Sequence, residues 1–363
     1  MIPSSFAMKL AAACLAGALV LLVGCGAGGK GPGGEGDSVD MAIARSIKVE
    51  AADEQGRGIV TAAQAFLNTL SVDQRKAVMY DFGDNAQRSR WSNFPASFVD
   101  RGGIMRKDLS ATQNKALDAL LSKVLSEKGA RNVRMQLVAE DSIGGWGGRM
   151  GTFGSGLYSV SFLGGPSLTA PWMCKCGGHH LAINATLVGA KASFSPMLTG
   201  GQPLTIMFEG KRVYITQEEV AAGRALLASL NAPQRRAAVR GGEAINILLG
   251  PGQDGTVIAP EGVRGSDLSA AQKQLLLAVI EARVSQFNAR DATAKMAAVR
   301  AGVNDTWFSW WGPPEPFGAA YFRITGPAIM LEYGPQGRDE SEHAHNMYRE
   351  PTNDYGAAWL KAR

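Results

Sequence analysis

From about residue 58 onward the apolar positions follow a helical period and then a strand period, and this succession occurs twice. Ile59, Val60, Ala63, Phe66, Leu67 and Leu70 line one face of an α-helix, and Val220, Leu226, Leu227 and Leu230 repeat the pattern. Ser110 with Gln113, and Ser269 with Gln272, have the spacing of a capping box. In that motif the serine oxygen accepts from a free first-turn amide and the glutamine side chain reaches back to the cap. Helices are therefore predicted to start at Ser110 and Ser269. Leu117, Leu120, Leu121, Val124 and Leu125 form the buried stripe of one, and Leu276, Val279, Ile280 and Val284 that of the other. Further on, residues 158–162 and 321–324 are rich in aromatic and β-branched side chains and stop at Gly165-Pro166 and Gly326-Pro327, as strands ending in turns do. A further strand is predicted after each turn, at 172–176 and 329–333.

The repetition extends to residue identity. Ala65-Phe66-Leu67-Asn68-Thr69-Leu70 with Gln74-Arg75-Lys76-Ala77 recurs, without a gap, as Ala225-Leu226-Leu227-Ala228-Ser229-Leu230 with Gln234-Arg235-Arg236-Ala237, 160 residues later. Asp108-Leu109-Ser110-Ala111-Thr112-Gln113 recurs 159 residues later as Asp267-Leu268-Ser269-Ala270-Ala271-Gln272. The expected fold is α+β, made of two related helix-then-strand halves, 58–205 and 206–363, that arose by internal duplication and are related by a pseudo-twofold axis. Whether the halves share one core is left open by the sequence.

Residues 1–24 have the layout of an export signal, with Lys9 as the early charge and an apolar stretch from Leu10 to Val23. Leu22-Val23-Gly24-Cys25 resembles the bacterial lipobox, in which Cys25 is acylated and becomes the first residue of the mature chain. Residues 25–57 begin with a glycine-dominated run, from Gly26 to Gly36, suited to a flexible tether. The expected location is the cell envelope, with the lipid on Cys25 as the membrane contact. Gly26, where sorting signals would carry aspartate, favours the outer membrane if the organism is diderm. The chain has 363 residues, 45 % apolar, and its 37 Lys and Arg only slightly exceed its 32 Asp and Glu. No basic block or basic-aromatic repeat supports a nucleic-acid partner.

The four histidines fall in two short segments, His179-His180 and His343-Ala344-His345, 164 residues apart and expected just after the last strand of each half. Near a pseudo-axis two such pairs can meet, and converging imidazoles suit zinc or copper. Glu342, Glu332, Asn184, Asn353 and Asp354 are candidates to complete the site, with Asp354 or Glu332 as the carboxylate behind a ligating ring. Cys174 and Cys176 would share a strand face near His180, as soft ligands for copper or as thiols without a role. Thr152-Phe153-Gly154-Ser155-Gly156 lacks the first glycine of a nucleophile elbow, and no P-loop is present. Trp307, Trp310 and Trp311, with Pro313, Pro314 and Pro316, are expected to pack the halves together rather than form a binding wall.

Phe153-Gly154, Tyr158, Gly165-Pro166-Ser167, Trp172, Gly178-His179-His180-Leu181 with Asn184, and His343-x-His345 with the run from Tyr348 to Gly356 resemble the bacterial and fungal proteins grouped as domain of unknown function 3500. The resemblance spans roughly residues 58–360 and implies no activity. The positions that match the family pattern are His179, His180, Asn184, His343, His345, Arg349 and Asp354. Glu350 stands where aspartate is expected, and Cys174 and Cys176 where bulky non-thiol residues are expected, so a cysteine-based mechanism would be particular to this chain. The resulting expectation is a lipid-anchored extracytoplasmic protein with a site for zinc or copper at His179, His180, His343 and His345, hydrolysis by an activated water being one reaction open to it. Two alternatives stand beside it. One is a non-enzymatic envelope binding or scaffolding lipoprotein with structural histidines, and the other a metal-free enzyme with His179 or His345 as general base and Asp354 as its orienter. No residue pattern names a substrate.

Overall fold

The computed structural model describes residues 49–144, 153–337 and 341–360. The export signal 1–24, Cys25 and the glycine-rich run lie outside the described residues. The first helices and strands are α1 (Glu54–Asn68), α2 (Val72–Val78), β1 (Met79–Tyr80), α3 (Asn85–Ser89), β2 (Ile104–Met105), α4 (Ala111–Val124) and α5 (Glu127–Gly144). They are followed by β3 (Ser159–Leu163), β4 (Trp172–Gly177), β5 (Ala182–Val188), β6 (Lys191–Ser193), β7 (Met197–Gly201), and the separate hairpin β8 (Thr205–Phe208) and β9 (Lys211–Tyr214). Next come α6 (Gln217–Ser229), α7 (Ala232–Ala238), β10 (Val239–Gly241), β11 (Val263–Arg264), α8 (Ala270–Val284) and α9 (Ala289–Ala301). The chain closes with β12 (Trp307–Trp311), β13 (Tyr321–Gly326), β14 (Ile329–Pro335), β15 (Ala344–Arg349) and α10 (Ala357–Leu360).

The helix starts are where the capping signals place them. Ser110 and Ser269 each accept from the amide three residues on, and the glutamine there accepts from the cap amide in return. Those glutamines also tie neighbouring helices together. Gln113 Nε2 donates to Thr69 O at 2.9 Å, and Gln272 Nε2 to Ser229 O at 2.8 Å.

Among the described residues, thirteen strands form one mixed sheet, ordered β1-β3-β4-β5-β7-β15-β14-β13-β12-β10, with β2 on β3, β6 on β5 and β11 on β12. Among the described residues only β1 on β3 and β10 on β12 pair in parallel. The strands predicted at 158–162, 172–176, 321–324 and 329–333 are present as β3, β4, β13 and β14. β3 has parallel β1 and antiparallel β2 beside it, and β12 lies between parallel β10 and antiparallel β11; β4 and β13 are the next strands inward. The histidine segments lie elsewhere than expected: His179 and His180 are in the turn between β4 and β5, whereas His345 is inside β15.

The longer helices cover one face of the sheet and share an apolar core with it, while α3 and α10 lie on the other. The core runs without interruption from Ile59, Phe66 and Leu117 through Phe162 and Ile183 to Leu276, Phe322 and Tyr348. Phe194 stacks on Phe287 at 4.3 Å between ring centres, and Phe287 meets Tyr348 edge-on at 5.0 Å. Side chains from both halves thus fill one interior. Trp310 is buried, stacked on Phe322 with its Nε1–H donated to Gly312 O, but both partners lie within 206–363 near the sheet's edge, so it packs the second half internally rather than the two halves together. No helix among the described residues is long and apolar enough to cross a membrane.

Because Phe287 is buried between the two halves, Phe287→Ala should cost about 3–5 kcal/mol and lower a single cooperative unfolding transition in denaturant. Two separable transitions, only one of them moved, would contradict a shared core.

Candidate metal centre

Strand register explains why segments far apart in sequence meet. Ala182 of β5 pairs with Leu198 of β7, and Leu198 pairs with Met347 of β15, so the three form one row, covered by Trp91. β5 and β15 are both antiparallel to β7 and therefore run the same way. His180 and His345 each precede that row by two residues, which brings them to the same end of neighbouring strands. The β4–β5 turn is closed by the Gly178 amide, which donates to Leu181 O at 2.8 Å. A Cβ on Gly178 would lie 2.5 Å from the Tyr158 ring, so only glycine lets the turn pass so close. On the other side, Gln336 N donates to His343 O at 2.7 Å and fixes the entry to β15.

A carboxylate that the sequence reading missed lies behind the rings. Glu140, buried on α5, faces both members of the first pair: His180 Nδ1 donates to Oε2 at 3.2 Å, and His179 Nδ1 stands 3.3 Å from Oε1, off the line of an ideal hydrogen bond. Tyr158 Oη adds a longer donation to Oε2 at 3.4 Å. With its Nδ1 proton committed to Glu140, His180 presents a bare Nε2, and this atom lies 3.1 Å from His343 Nε2. His179, His180 and His343 each offer a ring nitrogen, all within 4.8 Å of one another. Their rings are close as well, 3.8 Å between the centres of His179 and His180 and 5.1 Å between those of His180 and His343. Two imidazole nitrogens on one tetrahedral zinc, at ~2.05 Å each, are about 3.3 Å apart, close to the 3.1 Å between the Nε2 atoms of His180 and His343.

His345 joins this group only in part. Its ring centre is 5.3 Å from that of His180 and 5.2 Å from that of His343, but among the described residues it is not in the set of nitrogens able to share one ion. The remaining candidates bind elsewhere. Asn184 donates to Pro196 O at 2.8 Å, and Glu342 accepts from Thr205 N at 2.8 Å and Thr205 Oγ1 at 2.6 Å. Glu332 accepts from the amides of Leu248 and Leu249, both at 2.8 Å, and from Tyr321 Oη. Arg349 pairs with Asp354 at 2.6 Å and donates to Leu249 O at 2.8 Å and Gly250 O at 2.9 Å. Asn353 donates to Glu350 at 2.7 Å, and Asp354 also accepts from Ser195 Oγ and from Gly255 N at 3.1 Å. Glu332, Arg349 and Asp354 thus hold the 248–255 loop against the sheet; the carboxylate behind the imidazoles is Glu140, not Glu332 or Asp354. Cys174 and Cys176 share a face as expected, but that face is the apolar core, where burial pushes the Cys176 thiol up to about 11.

Glu140 lay hidden because it precedes His180 by forty positions, on a helix with polar residues on every side. A usable signal is the line Asn132, Gln136, Glu140, spaced by one helical turn among Val133, Ala139 and Ile143 and buried throughout.

Burial alone would raise the Glu140 carboxyl, but its contacts with His179 and His180 outweigh this and hold it well below the usual carboxylate range. Burial, assisted by His179, lowers the His180 imidazole from 6.5 to about 4, and burial with neighbouring rings pushes His343 and His345 well down. His180, His343 and His345 are therefore neutral at pH 7, the form that binds metals. The unfolded chain takes up a proton on His180 near pH 6.5, and the folded chain does so only near 4. Stability from this group is complete above 6.5 and lost as pH falls towards 4. With a chelator present, urea titrations should show stability falling across this window, and a shallower fall for His180→Gln; equal slopes would contradict the assignment.

No curated protein and no solved structure matches the chain. A family model does, over residues 52–357, and its span includes Glu140, both histidine segments and the Arg349–Asp354 pair. The chain belongs to the family described as protein of unknown function (DUF3500).

Proposed function

We propose that this protein binds a transition-metal ion, zinc in the first place, through His179, His180 and His343. The observation that carries the reading is a pair of imidazole Nε2 atoms 3.1 Å apart, one ring being held from behind by a buried carboxylate. That carboxylate–histidine arrangement is the usual support of a zinc ligand. Three imidazoles leave one position of a tetrahedral ion open, as in catalytic rather than structural sites. An ion with an open position supplies Lewis-acid chemistry and an activated water, so hydrolysis is the reaction class. Glu140 orients His180, helps hold His179 and offsets part of the ion's charge, while Phe153, 5.3 Å from His179 between ring centres, shields one side. Copper is the lesser choice, because both thiols are in the apolar core.

The same 3.1 Å would suit an N–H···N hydrogen bond in a metal-free cluster, and under that second reading the protein is a binding or scaffolding lipoprotein with structural histidines. We further propose that the halves arose by duplication and are related by a pseudo-twofold axis between β7 and β15. Support comes from the paired capping boxes and from Gln74 and Gln234, which donate to Asp108 O at 3.1 Å and Asp267 O at 2.8 Å. The chain's location is proposed from residues 1–25 alone: an envelope lipoprotein anchored through Cys25.

Residues 37–363, purified without a histidine tag, should carry close to one zinc per chain. His179→Ala, His180→Ala and His343→Ala should each remove it, and Glu140→Gln should weaken binding by about 10–100-fold. Folded protein that takes up neither zinc nor copper would favour the metal-free reading. In bacteria fed labelled palmitate, the full chain should become labelled and Cys25→Ser should not; equal labelling would refute the anchor.

A further inference from the structure

The carboxylate accounts for the arrangement of the ligand rings but leaves His345 unexplained. Its Nδ1 accepts from Asn93 Nδ2 at 3.3 Å, which puts the proton of the neutral ring on Nε2. That Nε2 is fully buried and has no hydrogen-bond partner among the described residues. Buried donors in native proteins are nearly always satisfied, so one left over beside a candidate centre calls for an acceptor. In register with His345 stand Gly200 and Gly334, so no side chain flanks the ring on either neighbouring strand.

Charge narrows the kind of acceptor. Three neutral imidazoles add nothing to a divalent ion and Glu140 offsets one charge, so the loaded centre attracts anions. We propose that His345 is not a fourth ligand but the hydrogen-bond donor to an anionic group at the ion's open position, with Asn93 as the positioning residue that fixes its tautomer. The inference rests on the metal reading above. The ligand class is a small anion, or a substrate oxygen that gains negative charge as it reacts. A donor already aimed at such an oxygen stabilises it more than water does, because it needs no reorientation.

The test uses cobalt(II) as a visible substitute and azide as the probe anion. Wild type, His345→Ala, His345→Gln and Asn93→Asp should all bind one cobalt per chain. Azide, followed through the cobalt absorption bands, should bind His345→Ala about tenfold or more weakly, the loss of one hydrogen bond to a charged group. His345→Gln keeps a donor and should recover part of the affinity. Asn93→Asp accepts from Nδ1–H instead, moves the proton off Nε2 and should weaken azide as His345→Ala does. Should His345→Ala fail to fold, the Gln and Asp variants decide. Cobalt lost from His345→Gln and His345→Ala alike would make His345 a ligand, and unchanged azide affinity in the variants would remove the donor role. Wild type that binds no cobalt would overturn the metal reading itself, and this inference with it.

Discussion

A carboxylate taken out of water has to be met by donors, and in this protein Glu140 is met by the side chains of two consecutive histidines. Much of the site's geometry follows from that pairing. It fixes the His180 tautomer, turns its Nε2 towards His343, and holds the β4–β5 turn against α5 through side chains. The pairing is also demanding: without the imidazoles the buried carboxylate would keep only the long Tyr158 hydrogen bond, and without the carboxylate nothing would fix the His180 tautomer. A cluster of buried imidazoles around an ionised acid is an expensive arrangement for mere stability, which is the physical reason to look for a ligand there.

The sheet delivers these groups to one point. β7 lies between β5 and β15, so two strands from different halves run parallel one strand apart, and residues two positions before a shared row come together. The second face of the sheet is covered by the short helix α3 and by loops, held through polar contacts. Lys175 donates to Gln87 O and to Arg90 O, Gln87 donates to Ser161 Oγ at 3.2 Å, and Arg349 and Glu332 bind the 248–255 loop. Arg349, Asn184, Glu332 and Asp354, named from the sequence as site candidates, serve this construction instead.

Much of the scaffold was legible in the sequence. Helical stripes such as Ile59–Phe66–Leu67 and the capping serines are local signals, and both appear where expected. Strand existence was legible too, from aromatic and β-branched runs, but strand order was not, because neighbours in the sheet such as β7 and β15 are far apart in sequence. The histidine-rich site was visible through the scarcity of histidine. Its carboxylate and Asn93 were not: the Asn132–Gln136–Glu140 line marks a buried polar stripe but not what it meets, and an asparagine in a loop carries no mark of its long-range partner. Those contacts depend on register and turn geometry, which a single sequence does not display.

The most direct test is X-ray absorption at the zinc edge of the loaded protein. Three imidazole nitrogens at ~2.0 Å and one further light atom, with no sulfur scatterer near ~2.3 Å, is the predicted coordination. A sulfur shell, a single imidazole, or the six-oxygen shell of a loosely held ion would contradict the account.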